Sequence, residues 1–231
     1  MRWDILALTS AAALWLAFQY WRDHERRRKL RSGFFGDCMN ILHPLEITQQ
    51  DMRFPTLRGR YKHFDVELEA FIDDMTVRKL PSLWLKVSLF APVRYSGAFD
   101  LLVRPRGTEY YSPASDLPLE VKLPSGWPGD ATIHSDDPAR MPPVETVAQH
   151  LHLFDDAKMK ELLIAPRGVR LIYQADQAER SQYSVLRQIE FGAMRLSPQL
   201  ANSLLEAVSS VYQSVAVTPI EVSLHESGSV T

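Results

Sequence analysis

The sequence predicts an α+β fold, in which a single N-terminal transmembrane helix precedes one domain with an antiparallel β-sheet meander and a few helices, the longest near the C-terminus. Three observations predict it. Residues 5–21 carry no charge, between Asp4 and Arg22. Residues 57–72 and 83–90 alternate apolar and polar positions with the period of two that half-buried strands need. Ser197-Pro198 opens a stretch in which Leu200, Leu204, Val208, Val211 and Tyr212 recur at helical spacing.

The first element reads as an anchor. At ~1.5 Å per residue, residues 5–21 extend roughly 25 Å, the short end of what crosses a hydrocarbon core of about 30 Å. Trp3 at one end, and Tyr20 with Trp21 at the other, bracket the run with rings that favour an interface. Arg22, Arg26, Arg27, Arg28, Lys29 and Arg31 follow, against Asp23 and Glu25. Cationic flanks stay on the cytoplasmic side. The expected localisation is therefore a single-pass signal-anchor in a membrane, N-terminus outside and the C-terminal domain cytoplasmic. A cleaved signal would carry its positive charge before the run and an Ala-x-Ala site after it, whereas here the excess charge follows the run and no clear Ala-x-Ala comes after it.

Charge divides the chain in the same way. Residues 1–62 hold eleven Lys/Arg against six Asp/Glu, and residues 63–231 hold fifteen against twenty-two. A basic front beside an acidic body suits an anionic lipid leaflet. The body has no basic stripe interleaved with aromatics, so nucleic acid is not an expected partner. With 45% hydrophobic and 23% charged residues the chain has ordinary globular usage, and Cys38, the single cysteine, excludes an internal disulfide. Four regions result: 1–21 anchor, 22–54 basic juxtamembrane collar and stalk, 55–216 α+β domain, and 217–231 loose tail.

Along the chain, Ser32-Gly33 breaks the first helix. Phe34 and Phe35 read as rings that dock the stalk on the domain, with insertion into lipid as the other reading. Residues 39–50 are mixed and Pro44 stops a regular helix. Residues 57–72 form a hairpin turning at Lys62-His63, and strands follow at 83–90 and 99–104. Between Tyr110 and Pro143 the many prolines impose a rigid irregular excursion with short strands at 119–123 and 131–134. Val144, Val147, Ala148 and Leu151 mark a short helix. Asp155 is read as the N-cap of a second helix through Met159, Leu162 and Leu163. Residues 169–173 and 183–191 return to strand before the last helix.

No constellation carries recognisable chemistry. His150 and His152 lie two apart, on opposite sides of a helix, so a shared metal ion is not expected. His134-Ser135-Asp136-Asp137 precedes Pro138, the composition of a turn. There is no Gly-x-Ser-x-Gly, no Gly-x-Gly-x-x-Gly and no phosphate-cradling Gly-Lys-Ser/Thr. No cofactor is implied. Cys38 reads as a buried or idle thiol, with lipid acylation as the alternative.

The candidate site is a membrane or anionic-surface contact made of Arg26, Arg27, Arg28, Lys29, Arg31, Arg58, Arg60 and Lys62, with Arg78 and Lys79 on the next connection. A solvated sheet edge explains the hairpin cations equally well. The function expected is a membrane-anchored, non-enzymatic interaction or accessory domain at the cytoplasmic surface. Its expected partners are the lipid bilayer and another protein or a second copy. An enzyme acting on a lipid or membrane-linked substrate is the alternative, and requires His134, Asp136, Asp137 and His150 to converge. An envelope-assembly factor of opposite topology is the third reading.

Overall fold

Alternation at Phe64, Val66, Leu68, Ala70 and Ile72 places five side chains on one face of a strand, and the same face continues through Leu83, Leu85, Val87 and Leu89 on its neighbour. In the computed structural model, residues 3–73, 80–105, 109–178, 191 and 195–216 are described. Among them nine strands build one antiparallel sheet: β1 (Leu45–Thr48), β2 (Thr56–Tyr61), β3 (Phe64–Asp73), β4 (Ser82–Phe90), β5 (Phe99–Val103), β6 (Leu119–Val121), β7 (Ala131–Ser135), β8 (Met159–Ala165) and β9 (Gly168–Gln177). Their spatial order is β1-β2-β3-β4-β9-β8-β5-β7-β6.

One sheet face is apolar across its width. Val87 pairs with Leu68 and Leu171, and Leu162 pairs with Leu171 and Leu101. The C-terminal helix, Pro198–Val215, packs on this face over β4 and β9, burying Ala201, Leu204, Leu205, Val208, Val211 and Val215. Ser197 caps it by accepting from the Leu200 amide at 3.2 Å, with Pro198 at the first helical position. A short helix α2 (Val144–Ala148) and a 3₁₀ turn (Leu151–Asp155) complete that layer. The C-terminal helix is α3 below.

The N-terminal residues form a helix α1 (Trp3–Ser32) of 30 residues. Among the described residues no helix is long and apolar enough to cross a membrane. The transmembrane helix in the expected fold class is therefore corrected, and with it the single-pass signal-anchor, the outside N-terminus and the cytoplasmic placement of the domain. The physical reason is the composition of residues 4–22. The uncharged run sits at the lower limit of length, Thr9, Ser10 and Gln19 dilute it, and its tryptophans and tyrosine prefer interfaces to hydrocarbon. Among the described residues after α1, the longest helix is the C-terminal one, as expected, with 18 residues.

One further expectation changes. Residues 159–163 are strand β8, not helix. Leu162 and Ile164 face the apolar core while Glu161 and Leu163 face the other side, so a period of two decides over the apparent Asp155 cap. Phe34 and Phe35 dock the stalk on the domain, as expected. Phe34, Phe35, Cys38, Leu42 and Phe54 are buried with the main core, and residues 45–48 add edge strand β1. Gly59 makes this close approach possible, because a Cβ there would stand 2.3 Å from the Pro44 carbonyl oxygen. The strand expected at 183–191, apart from Phe191, the tail 217–231, and Arg78 and Lys79 lie outside the described residues.

Candidate functional site

The C-terminal end of α1 is clasped by the domain. The His24 Nε2 meets Asp51 Oδ1 at 3.0 Å, Gln49 Nε2 donates to the Arg28 carbonyl at 3.3 Å, and Arg31 donates to the Met52 carbonyl with its guanidinium 5.4 Å from the Phe54 ring centre. Phe34 and Phe35 then enter the core. Before that clasp the helix displays large apolar side chains to solvent: Trp3, Leu8, Leu14, Trp15, Leu16, Phe18, Tyr20 and Trp21 are each at least 51% exposed. Arg26, Arg27, Arg28 and Lys29 are exposed directly after them, with Glu25 near Arg28 and Lys29 at 3.9 Å each.

The hairpin cations are placed differently. Arg58 sits opposite Glu67 and donates to it, Arg60 donates to Asp65 at 3.1 Å, and Lys62 donates to Glu206 on α3 at 2.7 Å. Each therefore has its charge offset by an acid of the same domain.

Sequence reasoning overlooked a second assembly, on the sheet face opposite α3. The strand register aligns one residue from every strand across the sheet: Glu46, Arg58, Glu67, Ser88, Arg170, Leu163, Asp100, His134 and Glu120. Beside it stand Glu69, Lys86 and Glu161, and Glu69 is ion-paired with Lys86. Asp100 and Glu161 are both 0% exposed. Ser112 Oγ donates to Asp100 Oδ2 at 2.8 Å, and Arg170 grips Glu161 through Nε and Nη2, each at 3.1 Å. Asp100 Oδ1 has no hydrogen-bond partner and neither does His134 Nδ1.

Burial is the main force raising the Asp100 carboxyl, to about 6, against the hydrogen bond from Ser112 and the charge of Arg170. Burial and then the neighbouring Asp100 raise Glu161, to about 8, although Arg170 opposes this. With one guanidinium and two carboxyls in a dry site, the arrangement closest to neutrality keeps one carboxylate and one carboxylic acid. The only sequence signal for this pair is a lone acid inside each of two largely apolar strands, Phe-Asp-Leu-Leu-Val and Met-Lys-Glu-Leu-Leu-Ile-Ala.

The residues of the enzymatic alternative do not converge. Asp136 accepts from the Ala98 amide at 2.7 Å, tying its loop to the one before β5, and Asp137 accepts from the Ala139 amide at 3.1 Å within its own turn. His150 is buried beside Ser214 of α3, with Nε2 3.2 Å from its hydroxyl oxygen. His134 lies across from Asp100 on the opposite sheet face. Among the described residues no three His, Cys, Asp or Glu side chains gather as a metal site.

No family model matches the sequence. No curated protein matches it. Among solved structures it is weakly similar to the crystal structure of the mycobacterial trehalose monomycolate transport factor A, TtfA, at 11% identity and a TM-score of 0.40, over 85% of this chain and 97% of that one.

Proposed function

We propose that this chain is a non-enzymatic accessory protein that engages an anionic lipid surface through α1 and the cations that follow it, holding its sheet domain beside that surface. The observation that carries the proposal is the run of exposed apolar side chains from Trp3 to Trp21 ending in exposed Arg26, Arg27, Arg28 and Lys29. Contiguous apolar surface of that extent marks a place where another apolar phase or partner sits. Tryptophan and tyrosine favour the headgroup level. Each cation near an anionic leaflet contributes about 1 kcal/mol. The acidic body is repelled from the same leaflet, which favours contact through α1 over contact through the sheet. Arg31 belongs to the clasp that aims the helix, and Arg58, Arg60 and Lys62, already paired within the domain, add little net charge. A protein partner or a second copy would meet the chain on the surface, where confinement raises effective concentration.

Vesicle co-sedimentation tests this. Full-length chain is expected to pellet with phosphatidylcholine vesicles containing phosphatidylglycerol, and to pellet less in high salt or when Arg26, Arg27, Arg28 and Lys29 are replaced by glutamate. Equal recovery with and without phosphatidylglycerol, or no recovery with either, overturns it.

A further inference from the structure

The sheet face opposite α3 carries a roof as well as a buried acid pair. Residues 109–116 cross it as a strap. Tyr111 packs against Trp84 with the rings tilted and their centres 4.5 Å apart, and the two join Leu102 and Ile172 in a small apolar cluster separate from the main core. Ser112 bonds Asp100 and also caps the following 3₁₀ turn (Pro113–Asp116) by accepting from the Ala114 amide at 3.1 Å. One hydroxyl thus fixes both the shape of the strap and its attachment.

We propose that Asp100 and Glu161 share one proton and thereby latch residues 109–116 onto the sheet, and that loss of this proton to water lifts the strap and uncovers Trp84, Leu102 and Ile172.

Geometry supports each step. Asp100 Oδ1 is buried without a donor, although Glu161 stands diagonally across from it on the neighbouring strand, Asp100 being paired with Leu163 and Glu161 with Leu102. A carboxylic acid proton between the two supplies the missing hydrogen bond, as in other paired carboxyls. The groups around the pair are Arg170 on β9, His134 on β7, and Ser112 with Tyr111 on the strap, whose ring also lies near Glu109, Glu161 and Asp73. Arg170 balances one negative charge. A second leaves a net charge in a dry site, and its cost is relieved only by water. Ser112 and Tyr111 lie over the pair, so hydration requires the strap to move. The raised titration of both carboxyls, from burial first, agrees with a retained proton.

Hydrogen exchange of the full chain, corrected for intrinsic rates, tests the latch. If opening releases one proton, protection of residues 109–116 falls up to about tenfold per pH unit from pH 6 and levels off near 8, and at every pH it stays below that of β5, which exchanges only when the whole fold opens. In E161Q, Asp100 alone balances Arg170 and there is no shared proton, so the strap's protection is expected to stay flat with pH. S112A, which loses the attachment but not the pair, is expected to lower protection at every pH. A flat profile in the wild-type chain, or the same fall in E161Q, overturns the proposal.

Discussion

Arg170 meets Glu161 at two points, Nε to Oε2 and Nη2 to Oε1, both at 3.1 Å, from adjacent strands of the same sheet. The geometry is the fork that a guanidinium offers a carboxylate. It sets a cation directly on one of a pair of buried acids, and that makes it a structural keystone of this sheet face.

Removing that cation strips Asp100 and Glu161 of the guanidinium whose charge both feel in a dry site. Breaking a buried pair from one side costs about 3–5 kcal/mol, and the Arg170 side chain is 22% exposed, so R170M is expected to lose about 3 kcal/mol in urea unfolding at pH 7. R170M combined with E161L should recover much of it. A single-variant loss below about 0.5 kcal/mol would show that the fork contributes little.

The same pair sets a pH dependence of global stability. In the unfolded chain both carboxyls titrate near 4; in the fold both are raised, Asp100 to about 6 and Glu161 to about 8. Folding therefore takes up protons between those limits. The contribution is complete below the ordinary carboxylate range, declines as pH rises, and is gone above about 8. Wild type minus E161Q, followed by urea unfolding from pH 5 to 9, should fall with pH, and a rising difference contradicts the assignment.

Gly59 is expected to tolerate no side chain. A Cβ would lie 2.3 Å from the Pro44 oxygen and 2.9 Å from Leu42 Cβ, where the stalk crosses β2. One contact is backbone, so relief needs the stalk to shift. G59A should destabilise by roughly 1–3 kcal/mol and raise proteolysis between residues 39 and 54 before the rest of the domain; unchanged cleavage there would mean that the stalk is not held by this crossing.

Much of the sheet is legible in the sequence because its strands have one wet face or clean proline and glycine boundaries. The β2–β3 hairpin turns at Lys62-His63 as its alternation requires, and Ser197-Pro198 starts α3. Residues 159–163 misled because Met159, Leu162 and Leu163 also satisfy helical spacing, and only pairing with both β5 and β9 selects the strand. The Asp100–Glu161 pair was illegible for a related reason. Sixty-one positions separate the two acids in sequence, and register alone brings them to one face. α1 misled by its uniform apolarity, which reads as a span until length and polar interruptions are weighed together.

Cys38 lies where the stalk meets the segment before α3, and its chemistry reports on that junction. Its thiol donates to the Leu196 carbonyl at 3.3 Å, while the Leu196 amide donates to the Phe34 carbonyl at 2.8 Å. Burial, and secondarily the charge of Asp37, push the thiol up to about 11. The thiolate is the reactive form, so fewer than about one thiol in a hundred is ionised at pH 8. Native chain should react with iodoacetamide at least about 100-fold more slowly than urea-unfolded chain at the same pH. Asp37 is itself held by Arg195 at 3.0 Å, so R195A, which loosens the junction, should speed native labelling. Rapid labelling of the wild-type chain would place Cys38 at the surface and restore lipid acylation there as a realistic modification; slow labelling confines it to the core, with the stalk closed over it.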